Sequence, residues 1–254
     1  MRKHRLTFIC LLAAAAFIPP AAQAQWRTPW SYNKSADGPA HWATLDPQYA
    51  ACAGKEQSPI DIRSAQPANL PALRFELKPG PLKIINNGYT AVRVDYAPGN
   101  GNVLLVGAQR YELTQFHFHH PSEERIHGKQ YDMVIHFMLR ASDGKIAGVA
   151  VFVDAGPANP VVQQLWKYMP KTPGKSHLIS GVEINPAALL PRDTAYYTYM
   201  GSISAPPCTE GVKWFVLKTP VTVSPAQIRA FAKPYPHDVR PVQPLNGRLV
   251  QASQ

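Results

Sequence analysis

The stretch that decides the fold is Gln115-Phe116-His117-Phe118-His119-His120-Pro121-Ser122-Glu123-Glu124, in which polar and aromatic side chains alternate before a proline. Such alternation is typical of a β-strand, and side chains two positions apart on a strand share a face. Gln115, His117 and His119 are therefore expected on one face, with the two phenylalanines on the other. Two neighbouring imidazoles backed by an aromatic layer form half of a metal site.

A third histidine, His136, stands at the centre of the apolar run 133–139. A lone histidine there would ordinarily be a core side chain bonded to a backbone carbonyl, because an unpaired buried polar group is costly. The His-x-His pair favours a shared site instead, and Gly128 and Lys129 allow a hairpin that places the two strands side by side. Three neutral imidazoles leave one tetrahedral position of zinc open to water, which is the arrangement of catalytic zinc.

The first 24 residues have the pattern of a secretory signal peptide. Basic residues precede an apolar stretch over residues 6–18, and Ala22-Gln23-Ala24 matches an A-x-A cleavage site. The alternative, a short membrane anchor, is disfavoured because about 20 apolar residues are needed to span a bilayer. We therefore expect a mature domain over residues 25–254, periplasmic or secreted, with no membrane anchor.

Charge and cysteine content narrow the function classes. The formal net charge is +10, but the basic residues of the mature chain are scattered rather than clustered, so nucleic acid is not an expected partner. Cys52 and Cys208 remain after processing. Two cysteines in an oxidising compartment most simply form a disulfide bond, and a metal site is the alternative.

Short strand-like runs punctuated by Gly, Pro and Asn predict one mainly β domain with peripheral short helices. Asn159-Pro160 and Ser224-Pro225 each combine an N-cap residue with a proline at N1 and predict the two helices. Residues 97–101 and 142–144 are predicted hairpin turns, and the aromatic-rich segment 25–58 is expected to wrap over the domain. Predicted strands cover residues 74–77, 83–86, 91–96, 103–106, 111–119, 133–140, 147–153, 196–202 and 212–217.

A set of short motifs runs through nearly the whole mature sequence in a fixed order. They are Gly38-Pro39-Ala40-His41-Trp42, Gln57-Ser58-Pro59-Ile60-Asp61-Ile62, Asn86-Asn87-Gly88, the 115–123 stretch, Tyr199-Met200-Gly201-Ser202, Pro206-Pro207-Cys208, Trp214 and Arg240-Pro241-Val242-Gln243-Pro244-Leu245-Asn246. Together they resemble the α-class carbonic anhydrases, here an exported bacterial one.

The resemblance implies a single domain built on a large twisted, mostly antiparallel sheet, with zinc bound by His117, His119 and His136. It also implies that Cys52 pairs with Cys208, and it places Gln115 beside the zinc-binding imidazoles. The implied reaction is reversible hydration of CO2 to bicarbonate and a proton, by attack of zinc-bound hydroxide on CO2 in an apolar pocket.

Sulfonamides and small anions are the expected inhibitors, ester hydrolysis is an accompanying activity, and a homodimer is left open. The alternative from another class is a non-catalytic zinc-binding domain of the same fold. Relatives of that kind typically lack a zinc ligand, whereas all three are present here.

The residues expected to orient the nucleophile depart from the usual pattern of the family. Ser204 stands where a threonine is usual, with Glu123 as its carboxylate partner. Serine keeps the hydroxyl group, so the hydrogen bond survives, but it lacks the methyl group that restricts χ1. We therefore expect the hydroxyl group of Ser204 to be held less firmly than that of a threonine, and the turnover to be lower.

A second departure concerns the third histidine. The family usually carries a glutamate two residues before it, where this chain has Val134, and a histidine where this chain has Glu124. We hypothesise that the carboxylate has moved and that Glu124 fixes the tautomer of His136, as such partners of metal-binding histidines do. The alternative is a solvated loop carboxylate.

Tyr89 stands where fast members of the family carry a proton-shuttling histidine. A tyrosine phenol ordinarily titrates near pH 10 and is poorly matched to moving protons near pH 7. The enzyme is therefore expected to be limited by proton transfer and rescued by imidazole-type buffers, with Tyr89 as the candidate on the proton path. Simple packing of this ring at the rim of the cleft is the alternative.

By resemblance, the apolar wall that receives CO2 comprises Met138, Gly148, Ile203, Val212 and Trp214. Gly148 replaces a branched aliphatic residue, whereas Met138 is longer than the usual valine, and methionine fills irregular gaps. We expect the extra length of Met138 to compensate for the volume lost at Gly148. A widened pocket that favours bulkier esters is the alternative.

Overall fold

A large sheet of mixed but mostly antiparallel strands organises the chain in the computed structural model, which describes residues 28–90, 92–174 and 176–254. Thirteen strands of these residues join the sheet, and two short ones pair separately. The predicted mainly β fold is confirmed. The strands are β1 (Asp61–Ile62), β2 (Gln66–Ala68), β3 (Leu73–Glu76), β4 (Gly80–Ile85), β5 (Arg93–Asp95), β6 (Val103–Val106), β7 (Gln109–His119), β8 (Arg125–Ile126), β9 (Met133–Arg140), β10 (Ile146–Ala155), β11 (His177–Ile184), β12 (Tyr196–Ser202), β13 (Glu210–Leu217), β14 (Val221–Val223) and β15 (Gln251–Ser253).

The strand order places the histidine-bearing strands near the middle of the sheet. Along the sheet the order is β11-β4-β5-β7-β9-β10-β13-β12-β15-β2, with β3 paired to β6, β6 also to β7, and β14 also to β10. β9 is antiparallel to both β7 and β10, whereas β10 and β13 run parallel. Every residue of β9 except Arg140 is buried, because both faces of this strand are covered.

Helices are few and short among the described residues. The two that cap signals predicted are present as α2 (Pro160–Lys167) and α3 (Pro225–Ala232). The Asn159 side chain accepts hydrogen bonds from two backbone N–H groups of α2, and Ser224 forms a capping box with Gln227 at the start of α3. The others are α1 (Trp42–Leu45) and two 3-10 helices, Pro47–Ala53 and Pro186–Leu189.

One of the two predicted hairpin turns is wrong. Residues 97–101 connect β5 to β6, and both of these strands pair with β7 rather than with each other. β7 is long enough to take β6 at its start and β5 near its end. The hairpin in this region is β6–β7, which turns at Gly107 with a φ of +59°. The predicted turn at 142–144 is confirmed as the β9–β10 connection.

The two faces of the central strands contribute to different apolar clusters. Phe116, Phe118 and Phe137 point into the larger core. Met138 and Trp214 belong to a second cluster, which lies on the face of the sheet that carries the histidines because Met138 is two residues from His136.

The aromatic N-terminal segment packs around a disulfide bond. Trp30, Trp42 and Tyr49 are buried with Cys52 and Cys208, which are joined. The predicted docking of this segment and the predicted disulfide are therefore confirmed. The predicted signal peptide lies outside the described residues. None of the helices in the described ranges is long and apolar enough to cross a membrane.

Candidate metal centre

Three histidine side chains converge on one face of the sheet. His117 and His119 lie two residues apart on β7, and His136 on β9 is the direct cross-strand neighbour of His117. One potential ligand atom from each of the three lies within 4.8 Å of the other two. The connection between β7 and β9 is longer than a hairpin and contains β8, but the predicted pairing of the two strands holds. The antiparallel register alone thus assembles the cluster.

His117 and His119 are each oriented through the ring nitrogen Nδ1. In His117 this atom lies 2.8 Å from Oε1 of Gln115, two residues earlier on the same face. In His119 it lies 2.6 Å from the backbone carbonyl oxygen of Asp238. Both contacts pair Nδ1 with an oxygen acceptor, so Nδ1 carries the proton and the lone pair is on Nε2.

The third histidine is held by a carboxylate from outside its own strand. Nε2 of His136 lies 3.0 Å from Oε2 of Glu124, and neither side chain is exposed. This contact places the free lone pair of the ring on Nδ1. Glu124 is thus not a solvated loop carboxylate, and Val134, the neighbouring position on the face of His136, is buried and apolar.

Burial and charge shift the pKa values of Glu124 and His136 in opposite directions. Burial by itself raises the pKa of Glu124, but the charge of His136 and the hydrogen bond to it outweigh burial and lower that pKa. Conversely, burial lowers the pKa of His136, and the Glu124 carboxylate, aided by Glu123, raises it above the ordinary value. The Glu124 carboxylate therefore stays ionised and serves as the acceptor for the Nε2 proton of His136.

The donor set fits zinc. Burial, with the neighbouring imidazoles, lowers the pKa of His117 well below its ordinary value, and burial also lowers that of His119, so both rings are neutral. Nε2 of His119 and Nδ1 of His136 are buried without a hydrogen-bond partner among the described residues. Buried polar atoms are rarely left unpaired. Three converging imidazole lone pairs are the protein ligands of a known class of catalytic zinc site.

A second buried carboxylate lies against the same nitrogens. Oε1 of Glu123 accepts a hydrogen bond from the backbone N–H of Arg240 at 2.8 Å. Oε2 lies 3.7 Å from Nε2 of His119 and 3.9 Å from Nδ1 of His136, and it has no hydrogen-bond partner in the described part of the chain. Glu123 thus presents a free acceptor beside the candidate ligand atoms.

A cavity of about 300 Å³ opens over the histidines, and Ser204 and Tyr89 both line it. Ser204 is buried, and no hydrogen bond joins it to Glu123 within the residues that the structure covers. Tyr89 is half-buried and stacks on Trp30, with ring centroids 3.8 Å apart and an interplanar angle of 4°. The Tyr89 ring therefore both faces the cavity and packs at its edge.

Of the five residues expected in the apolar wall, three line the cavity and two do not. Met138, Ile203 and Trp214 are in the wall, whereas Val212 and Gly148 are not. A Cβ atom built on Gly148 would lie 2.7 Å from the six-membered ring of Trp214. The space left by the missing side chain at 148 is therefore filled by the indole and does not widen the cavity at that point.

Arg240 is a buried neighbour of the site whose contacts were not predicted from the sequence. Its guanidinium donates to Oε1 of Gln57 and to the backbone carbonyls of Ser58 and Cys52, while its backbone N–H holds Glu123. It thereby ties the buried carboxylate to the disulfide-bonded segment. The available signal was an arginine in the motif 240–246, since a buried arginine needs several acceptors.

Comparisons with known proteins agree with this geometry. The profile of the family described as eukaryotic-type carbonic anhydrase matches residues 37–254. The chain is 41% identical over 227 residues to a carbonic anhydrase of Nostoc sp., covering 87% of this chain and 84% of that protein. It is 40% identical over 248 residues to a carbonic anhydrase of Neisseria gonorrhoeae, covering 97% and 96%.

Among solved structures, the chain is similar to the α-carbonic anhydrase of Thermovibrio ammonificans in complex with the inhibitor sulfanilamide. The TM-score is 0.83 at 39% sequence identity, and the match covers 88% of this chain and 99% of that one. A likeness of this extent shows that the two chains share their fold.

Proposed function

This chain belongs to the eukaryotic-type, or α-class, carbonic anhydrase family, and on that premise we propose that it catalyses the reversible hydration of CO2 to bicarbonate and a proton. The observation that supports this most directly is the convergence of three oriented imidazoles beneath a cavity with an apolar wall. The alternative is a non-catalytic zinc-binding domain of the same fold. The complete set of three histidines favours the enzyme.

Zinc is the proposed metal, held by Nε2 of His117, Nε2 of His119 and Nδ1 of His136. When bound, zinc supplies hydroxide near neutral pH by lowering the pKa of a coordinated water to about 7, a value known from carbonic anhydrase itself. Gln115 and Glu124 act through the imidazoles, because accepting a hydrogen bond from one ring nitrogen keeps the proton there and the lone pair on the other.

Ser204 and Glu123 are proposed to orient the attacking oxygen. Ser204 Oγ would accept a hydrogen bond from that oxygen and donate one to Oε2 of Glu123, a buried acceptor that has no hydrogen-bond partner among the described residues. This relay fixes the direction of the oxygen's remaining lone pair. Arg240 holds the other carboxylate oxygen through its backbone N–H, which keeps Glu123 in place.

CO2 is proposed to lie against the wall of Met138, Ile203 and Trp214, because an apolar molecule gains by leaving water for an apolar surface. The three side chains lie on the open side of the histidine cluster, in the same cavity as Ser204. Ester hydrolysis would use the same oriented oxygen. The disulfide supports the proposal of an exported enzyme, since such bonds persist in oxidising compartments.

The test of the proposed function is a stopped-flow assay of CO2 hydration on residues 25–254, combined with metal analysis. We expect stoichiometric zinc, hydration that a chelator removes and added zinc restores, and inhibition by sulfanilamide. The His136→Ala variant serves as a metal-deficient control. Zinc bound at full occupancy without hydration would instead establish the non-catalytic binding domain.

Proton transfer from the site to the solvent is predicted to limit turnover because no histidine stands at position 89. Raising the concentration of an imidazole-type buffer should increase kcat and leave kcat/KM unchanged, since proton removal follows CO2 conversion. Tyr89→His should raise kcat at low buffer concentration and reduce the dependence on buffer. A matched control is Tyr168→His, outside the cavity. If kcat of the unmodified enzyme does not respond to buffer, another group moves the proton or chemistry is slow.

A further inference from the structure

A second cavity, of about 260 Å³, adjoins the one over the three histidines. Trp30, Tyr32 and Tyr89 line both cavities, so these three rings form the wall between them. Another side of the second cavity, which we call the side cavity, is formed by residues 234–238. One layer of aromatic rings therefore separates the side cavity from the space over the metal centre.

His237 lines the side cavity and is exposed to solvent. Apart from the three candidate zinc ligands, it is the one imidazole among the described residues that line either cavity. Imidazole is the side chain that ordinarily takes up and releases protons between pH 5 and 8. His237 thus presents, at the solvent side of the ring layer, the type of side chain that position 89 lacks.

Contacts on both sides of His237 tie its backbone to the metal centre. The carbonyl oxygen of Pro236 accepts a hydrogen bond from Nδ1 of His120 at 2.9 Å, and that of Asp238 lies 2.6 Å from Nδ1 of His119. Peptide geometry then places Cα of His237 within about 9 Å of Nδ1 of His119. A few hydrogen bonds of about 2.8 Å through water are enough to span such a distance.

The charged and titratable groups around His237 leave its imidazole without a partner among the described residues. On its own segment, the Asp238 carboxylate accepts a hydrogen bond from a backbone N–H group, and the Tyr235 hydroxyl donates to an asparagine side chain. Lys34 and His41 line a third cavity that His237 also borders. No carboxylate therefore competes for the His237 ring, which is free to bond to water.

Two phenol hydroxyl groups belong to the wall between the cavities. Neither the hydroxyl of Tyr32 nor that of Tyr89 has a hydrogen-bond partner among the described residues. Burial, together with the charges of Glu123 and Asp238, raises the pKa of Tyr32 well above its ordinary value, so this phenol stays protonated. A hydroxyl group accepts one hydrogen bond while it donates another. The wall can therefore pass a proton on, but it needs an acceptor beyond it.

We infer that His237 takes up the proton that CO2 hydration releases, which reaches it from the cavity over the histidines through water in the side cavity and the hydroxyl group of Tyr89. The inference rests on the proposed function, since without hydration there is no proton to remove. The neutral imidazole binds the proton at a ring nitrogen and becomes imidazolium. A buffer base at the surface then removes one proton and regenerates the neutral ring. This path is longer than one that starts at residue 89, in agreement with a turnover limited by proton transfer.

The experiment measures CO2 hydration by zinc-loaded His237→Ala and His237→Gln at low and high concentrations of an imidazole-type buffer. A positioned proton acceptor contributes about 10²- to 10⁴-fold, and because water and buffer remain as acceptors here we expect kcat at low buffer to fall by about tenfold. High buffer should restore kcat, and kcat/KM should stay within about twofold, because proton removal follows CO2 conversion. His41→Ala is the matched control, since His41 is an exposed imidazole that does not line the side cavity.

A double-mutant cycle with Tyr89→Phe tests the route. This substitution keeps a ring that can stack on Trp30 but removes the hydroxyl group, so it should also lower kcat at low buffer, and His237→Ala should add little to that loss. Losses that multiply in the double variant would overturn the inference. So would an unchanged kcat at low buffer in both His237 variants, or a fall in kcat that buffer does not restore. In each of these cases hydration by the unmodified protein leaves the proposed function standing, whereas absence of hydration contradicts both.

Discussion

Replacing Ser204 with alanine is expected to lower kcat/KM for CO2 hydration by about 100- to 1,000-fold while the protein retains zinc, the loss typical of removing one oriented hydrogen-bonding group at a reacting oxygen. The hydroxyl group is the one side-chain group proposed to contact that oxygen directly. Its absence would leave the oxygen free to rotate and the Glu123 carboxylate without its partner. Metal analysis and the stopped-flow assay measure the two quantities separately.

Glu123→Gln should cause a loss of the same order, because an amide N–H in place of Oε2 would donate to Ser204 and reverse the direction of the relay. The Ser204→Ala, Glu123→Gln double variant should lose little more than either single variant, since groups that act as a unit are not additive. Independent losses that multiply would contradict the relay.

Matched controls exist for both substitutions. Ser142→Ala lies in the exposed β9–β10 turn, and Glu112→Gln lies on β7 away from the cavity; both should retain full activity. Ser204→Thr offers a further discrimination, because its added methyl group restricts χ1 and should hold or raise kcat/KM. A Ser204→Ala variant that retains activity within a few-fold would show that this hydroxyl does not orient the nucleophile.

The sequence predicts the metal cluster because strand alternation is a local property. Alternation in 115–119 fixes which side chains share a face, and the apolar run around His136 identifies the neighbouring strand. The hairpin predicted at 97–101 was wrong because strand pairing, unlike alternation, is not a local property. Turn residues show where the chain bends but not which strands pair, and β5 and β6 both pair with β7.

Other features depend on exposure and packing that no short pattern carries. β11 is largely exposed and breaks its register with β4, so it shows no clean alternation. The two 3-10 helices begin at Pro47 and Pro186, with Asp46 and Asn185 as N-caps, which is the same cap signal that predicted α2 and α3. The contact between Gly148 and Trp214 joins residues 66 positions apart, and only the fold brings it about.

Replacing Glu124 with alanine is expected to weaken zinc affinity by about 10- to 100-fold, the usual cost of removing the hydrogen-bond partner of a metal-binding histidine. The carboxylate is buried and lies 3.0 Å from Nε2 of His136. Without it, the ring loses both its orientation and the proton placement that directs the lone pair to Nδ1. Competition with a chelator measures the affinity without reference to catalysis.

Glu124→Gln should fall between alanine and the unmodified protein, because its amide oxygen can still accept from Nε2 but carries no charge. Glu112→Ala, which removes a carboxylate outside the site, should leave zinc affinity unchanged. If Glu124→Ala retains zinc as tightly as the unmodified protein, the carboxylate does not support the third histidine.

The stronger test moves the carboxylate to the strand of His136. Val134 is buried two residues before His136 and shares its face. Val134→Glu alone should destabilise the fold, because Glu124 already occupies His136 Nε2 and the new buried carboxylate would lack a partner. Combined with Glu124→His, the same substitution should become tolerated and recover most of the zinc affinity that Glu124→His loses. Recovery requires that a carboxylate at either position can accept the hydrogen bond from Nε2 of His136. If the double variant binds zinc no more tightly than Glu124→His alone, the position of Glu124 is required, and not only its charge.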